Sequence, residues 1–152
     1  MANALNAMDT LLEIAKRNLN RAAEALAKAN RDVSEACNQQ QRLQTFRQEY
    51  IVQRKSIALE GITATDLKNF QIFLNNIDQA IVSQESAIHQ YQEIAKHHMK
   101  NWQTCQAKKR SYEVIIERNQ QQKQKIASRR EQKQMDEFSS NQRRYLIANT
   151  SS

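Results

Sequence analysis

The chain has no proline, one glycine and only 6% aromatic residues among its 152. Proline and glycine break helices and build tight turns, so their near-absence argues against hairpin-joined strands and for long helices. A 39% hydrophobic content with so few aromatics leaves only a thin core. Nowhere do the ~18 continuous apolar residues of a transmembrane helix occur. Met1 to Asp9 lacks the basic region and following apolar run of a secretory signal, so a cytoplasmic chain with no direct membrane insertion is expected. Cys37 and Cys105 are the only cysteines, too few for a disulfide scaffold, and read as reduced thiols. No Gly-rich phosphate loop, H-E-x-x-H or C-x-x-C is present. His97 and His98 are adjacent, so on a helix they point ~100° apart and cannot share a metal as an i,i+4 pair would. The expectation is a protein that is not an enzyme and has no cofactor or metal.

What is present is charge and period. The net charge of +7 calls for acidic partners, whether nucleic acid, anionic lipid or an acidic protein surface. Between Leu67 and Ile126 the residues spaced three and then four apart are Leu67, Phe70, Leu74, Ile77, Ile81, Gln84, Ile88, Tyr91, Ala95, His98, Trp102, Cys105, Lys109, Tyr112, Ile116, Asn119, Lys123 and Ile126. This is an unbroken heptad frame with mostly apolar a and d positions, the pattern of a coiled coil. As one helix it would run on the order of 100 Å and needs a partner along its length.

The N-terminal part supplies that partner. Its a positions are Leu5, Leu12, Leu19, Leu26 and Val33, and its d positions are Met8, Ala15, Ala22, Ala29 and Ala36. Large residues alternate with alanine, which lets a neighbouring helix approach closely. Glu13 with Arg17 and Glu24 with Lys28 have i,i+4 ion-pair spacing. The frame then weakens, with Gln40, Arg47 and Arg54 at a and Leu43, Tyr50 and Ile57 at d. Gly61 can take the left-handed conformation that ends a helix. Thr63 and Asp66 have capping-box spacing for the next one. The spacing predicts an all-α antiparallel two-helix coiled coil, a helical hairpin in one domain. Its parts are a helix over 4–60, a hinge over 61–64, a helix over 64–138 and a flexible tail over 139–152. Pairing about Ile62 makes partner numbers sum to about 124. Ala22 then faces Trp102, Gln40 faces Gln84, and Cys37 lies ~27 Å along the axis from Cys105. The first helix ends opposite Asn119, so the second overhangs.

Two surfaces stand out. Phe46 and Phe73 both fall at g, on the same side of an antiparallel pair and too near its edge to be fully buried. Gln39 and Ala80 share that flank, bordered by Leu43, Tyr50, Ile77 and Gln84. This is a candidate protein-docking patch, or simply a widened core. The second surface is the overhang, with Lys123, Lys125, Arg129, Arg130, Lys133, Met135, Asp136, Glu137 and Phe138. Met8, Leu12 and Ile116 are the last paired layers before it.

Three segments carry a resemblance. They are Gly61-Ile62-Thr63-Ala64 leading to Asn69-Phe70-Gln71-Ile72-Phe73-Leu74, the distal Lys133-Gln134-Met135-Asp136-Glu137-Phe138, and Arg47-Gln48-Glu49-Tyr50 before the hinge. With the length and two-helix design, they resemble the flagellar FliJ family over nearly the whole chain. The resemblance implies a small non-enzymatic component of the flagellar type III export apparatus, similar to the central stalk of rotary ATPases. Its implied partners are a hexameric flagellar export ATPase, the cytoplasmic domain of the export gate membrane protein, and export chaperones. On that reading the Phe46–Phe73 flank faces the gate, and the open end faces the ATPase ring at the inner-membrane export apparatus. The other readings are a basic coiled coil that binds nucleic acid and a passive spacer. No nucleic acid is expected, because the aromatics are not interleaved with the basic run.

Overall fold

The computed structural model describes residues 2–150, with side chains from residue 7 onward. Helix α1 spans Ala2–Ala58 and α2 spans Ala64–Thr150, and among the described residues there is no strand. The two helices pack against each other as a helical hairpin. Contacts divide it into two compact units. The hinge unit is Arg17–Gln106, and the open-end unit combines the start of α1 with α2 from Ala107 onward.

The hinge follows from its residues. The last turn of α1 tightens, with Glu60 N–H donating to the Ile57 carbonyl at 3.0 Å and Gly61 N–H to that of Ala58 at 3.2 Å. Gly61 then takes φ +98°, a conformation that a Cβ disfavours. Thr63 caps α2. Its Oγ1 accepts from the Asp66 N–H at 3.2 Å, and its carbonyl accepts from the Leu67 N–H at 3.1 Å.

In the hinge unit, burial follows the expected frame. Ala22, Ala29 and Ala36 are 3–5% exposed, and Ile77 and Ile88 are the other buried residues there. The large a residues Leu19, Leu26 and Val33 are half-buried, as are Trp102 and Cys105. A methyl group at each d position is small enough to be covered completely where a leucine in a two-helix seam is not. The register sum of about 124 holds. Arg47 Nε meets Asp78 Oδ1 at 2.6 Å, and Gln40 Nε2 donates to Glu85 Oε1 at 3.3 Å. The expected Gln40–Gln84 layer resolves differently. Gln84 Nε2 donates to the Ala36 carbonyl at 2.9 Å and to Gln39 Oε1 at 3.2 Å. An amide side chain is long enough to pass its opposite number and reach backbone exposed beside an alanine. Cys37 and Cys105 are both free thiols.

In the open-end unit Ala15 is buried, while Met8, Leu12, Lys109, Tyr112, Ile116 and Asn119 are half-buried. Lys109 occupies the seam beside Glu113, its Nζ 3.6 Å from the carboxylate. Glu13 sits 3.6 Å from Lys16, the i,i+3 neighbour and not the i,i+4 one expected. From Gln120 to Thr150 every residue is exposed, so α2 overhangs from the position where pairing was expected to stop. The overhang departs from expectation at its end. Residues 139–150 continue the helix. No glycine or proline interrupts them, and the Thr150 hydroxyl bonds back to the Leu146 and Ile147 carbonyls at 3.0 Å. Among the described residues no helix is long and apolar enough to cross a membrane.

Candidate functional site

The flank beside the hinge carries four rings linked through Tyr50. Tyr50 is central, with its ring 4.6 Å from that of Phe73, 5.4 Å from Phe70 and 6.5 Å from Phe46. Phe46 and Phe73 meet edge to face at 6.3 Å. Phe46 remains 48% exposed and Phe73 40%. Both were expected at the seam's edge, and that is where they lie. Of the other patch residues, Leu43, Tyr50 and Gln84 are half-buried, while Gln39 and Ala80 are exposed. Ile77 is only 6% exposed, so it supports the surface from beneath and offers no face of its own. Gln39 and Gln84 are joined by their hydrogen bond, which fixes the polar border of the patch. The cluster has two members beyond the expected patch. Phe70, a seam residue, stacks on Tyr50, and the Arg54 guanidinium lies 5.3 Å from the Tyr50 ring centroid.

The open end has a different chemistry. Lys123, Lys125, Arg129, Arg130 and Lys133 all stand on bare helix, with Asp136 and Glu137 beyond them. Lys125, Arg129 and Lys133 are four residues apart and share a face. Arg118, Gln121, Gln122, Lys125, Ile126 and Arg129 line one shallow groove there. Met135 and Phe138 line another and are 71% and 65% exposed. Met8, Leu12 and Ile116 form half-buried layers at the base. Tyr145, Leu146 and Ile147 fall in the expected tail but are exposed helical residues at the end of α2.

His97 and His98 have ring centroids 5.7 Å apart. Among the described residues no group of three or more His, Cys, Asp or Glu side chains is placed to hold a metal.

Residues 4–145 match the family described as Flagellar FliJ protein. The chain belongs to the FliJ family. It is 25% identical over 132 residues to the Flagellar FliJ protein of Escherichia coli (strain K12), covering 87% of this chain and 90% of the relative. To that of Salmonella typhi it is 24% identical over the same length. No solved structure matches. The FliJ match takes in both surfaces, since the aromatic flank and the overhang as far as Tyr145 lie inside it.

Proposed function

We propose that this chain is a non-enzymatic component of the flagellar protein-export apparatus, working as a stalk on the cytoplasmic side of the membrane. Its open end enters the ring of a hexameric export ATPase. Its hinge-side patch binds the cytoplasmic domain of the export gate membrane protein, and export chaperones meet the same apparatus. The observation that carries this reading is the presence of two exposed surfaces of opposite chemistry in a chain of that family. One is an aromatic cluster left half-covered, and the other is a bare cationic helix.

The exposed part of the aromatic patch supports a binding role. Phenylalanine buries about 150–250 Å² when fully covered, so covering the exposed part of Phe46 and Phe73 would contribute a transfer term of about 2 kcal/mol per ring, before the costs of association. The overhang suits a guided insertion. Cations on one helical face favour acidic or dipolar groups of pore-lining loops and speed encounter. The unpaired helix lacks the tertiary packing from which most helical stability comes, and a surrounding partner would supply it.

Two variants test the reading in one assay set. Phe46→Ala with Phe73→Ala should abolish binding to the gate domain while leaving helicity and ATPase binding intact. Truncation after Gln122 should keep gate binding but fail to promote assembly or turnover of the ATPase ring. Unchanged gate affinity would make the rings ordinary core, and full ATPase stimulation by the truncated chain would move that contact elsewhere.

A further inference from the structure

The hinge unit contains a cleft that none of the eight patch residues lines. Its walls are Ile51, Arg54, Lys55, Ala58, Ile62, Asp66, Leu67, Phe70 and Leu74, and its volume is about 230 Å³. It exists because the seam does not close at its last layer. Ile57 and Leu67 continue the heptad frame, yet they are 38% and 47% exposed. The stacked Tyr50–Phe70 contact puts two bulky rings in the seam, where alanines sit further along. Beyond the rings α1 ends on Ala58, and the short loop around Gly61 does not fill the gap. A Cβ at Gly61 would meet nothing within 4 Å.

The walls are apolar and the rim is cationic. Arg54 is held in place over the Tyr50 ring, and Lys55 stands exposed in the last turn of α1. Against these two cations the lining has one carboxylate, Asp66. At this volume the cleft is smaller than the ~300–1,000 Å³ of sites for free small molecules, and fits one large side chain.

We propose that this cleft is a second docking site, taking an acidic peptide segment of a partner protein that inserts one bulky apolar side chain between the helix ends. The apolar side chain covers Ile51, Ile62, Leu67 and Leu74. The flanking carboxylates meet Arg54 and Lys55 through charge-assisted hydrogen bonds. The site adjoins the Phe46–Phe73 flank and shares Phe70 and Arg54 with its ring cluster.

The test uses the full chain labelled at isoleucine and leucine methyl groups. The probe is a blocked peptide with a central phenylalanine between pairs of aspartates, titrated into the millimolar range. Saturable shifts at Ile51, Ile62, Leu67 and Leu74 are expected. Lys55→Glu and Ala58→Phe should each weaken binding about tenfold, the first by reversing a rim charge and the second by filling the cleft. Should Ala58→Phe disturb the hinge, as its circular dichroism would reveal, the exposed Lys55→Glu carries the test. A peptide with lysines for aspartates, or with alanine for phenylalanine, should not bind. Absence of saturable shifts, shifts centred on Ile77 instead, or equal binding of either control peptide would overturn the proposal.

Discussion

Replacing Ala29 with leucine discriminates between a close-packed and a loose seam, because the two cases differ in sign. Ala29 is 5% exposed and belongs to the run of buried d-position alanines. Leucine adds three carbons. If the helices left room for them, burial would stabilise the hairpin by about 2 kcal/mol, at about 0.8 kcal/mol per methylene. If the alanines set a close approach, the added carbons must push the helices apart or take strained rotamers. That costs about 1–3 kcal/mol. Near-complete burial of a side chain this small points to the second case. Ala27, exposed on the same helix, provides the control, because alanine and leucine differ little in helix propensity. Urea unfolding followed by helical circular dichroism would measure both variants. The expected result is a lower midpoint for Ala29→Leu and little change for Ala27→Leu, with unchanged slopes. A more stable Ala29→Leu would refute the close-packed seam.

Two further outcomes are expected. Gly61→Ala should cost about 1–2 kcal/mol, from the positive φ alone, since its Cβ has open space; Gly61→Asn should cost less in the same urea assay. A loss well beyond that range would mean a contact the hinge does not have, and no loss would mean the turn is free to rearrange. A double-mutant cycle on Phe46 and Phe73 should give a stability coupling near ~0.5 kcal/mol, the low end for aromatic pairs, because both rings are half-exposed and 6.3 Å apart. Zero coupling would leave their contact without energetic content.

Much of this architecture was legible because a heptad repeat is a direct record of which residues face a neighbour. From Met8 to Arg54, and from Phe70 to Asn119 apart from Tyr91, each a and d position is buried or half-buried. The single glycine and the threonine cap marked the turn for the same reason, since each supplies a backbone requirement that few residues meet. The end of α2 was less legible. Ser139 and Ser140 lower helix propensity only slightly, and propensity is a weak guide where no breaker follows. The hinge cleft was hidden because a heptad frame gives direction but not thickness. It places Ile57 and Leu67 on the seam without saying that the rings next to them hold that layer open. The edge position of Phe46 and Phe73 was visible as a g assignment, whereas the parts of Phe70 and Arg54 in the cluster depend on distances that spacing does not encode.

The alanines of the hinge unit have a consequence for how the helices can move. Ala22, Ala29 and Ala36 recur every seven residues, so sliding α1 by one heptad, ~10.5 Å, would put each methyl group where the next had been. The alanines themselves would not register the change, although the residues facing them in this register, Trp102, Ala95 and Ile88, differ from one to the next. Registration falls to contacts that do not repeat. The Arg47–Asp78 pair, the Gln84 bond to the Ala36 carbonyl and the rings around Tyr50 each have a single home. All involve α1 residues between Ala36 and Tyr50. The contacts specific to one register are therefore gathered in a short segment of α1 beside the turn, and the repeating alanine methyl groups add none of their own.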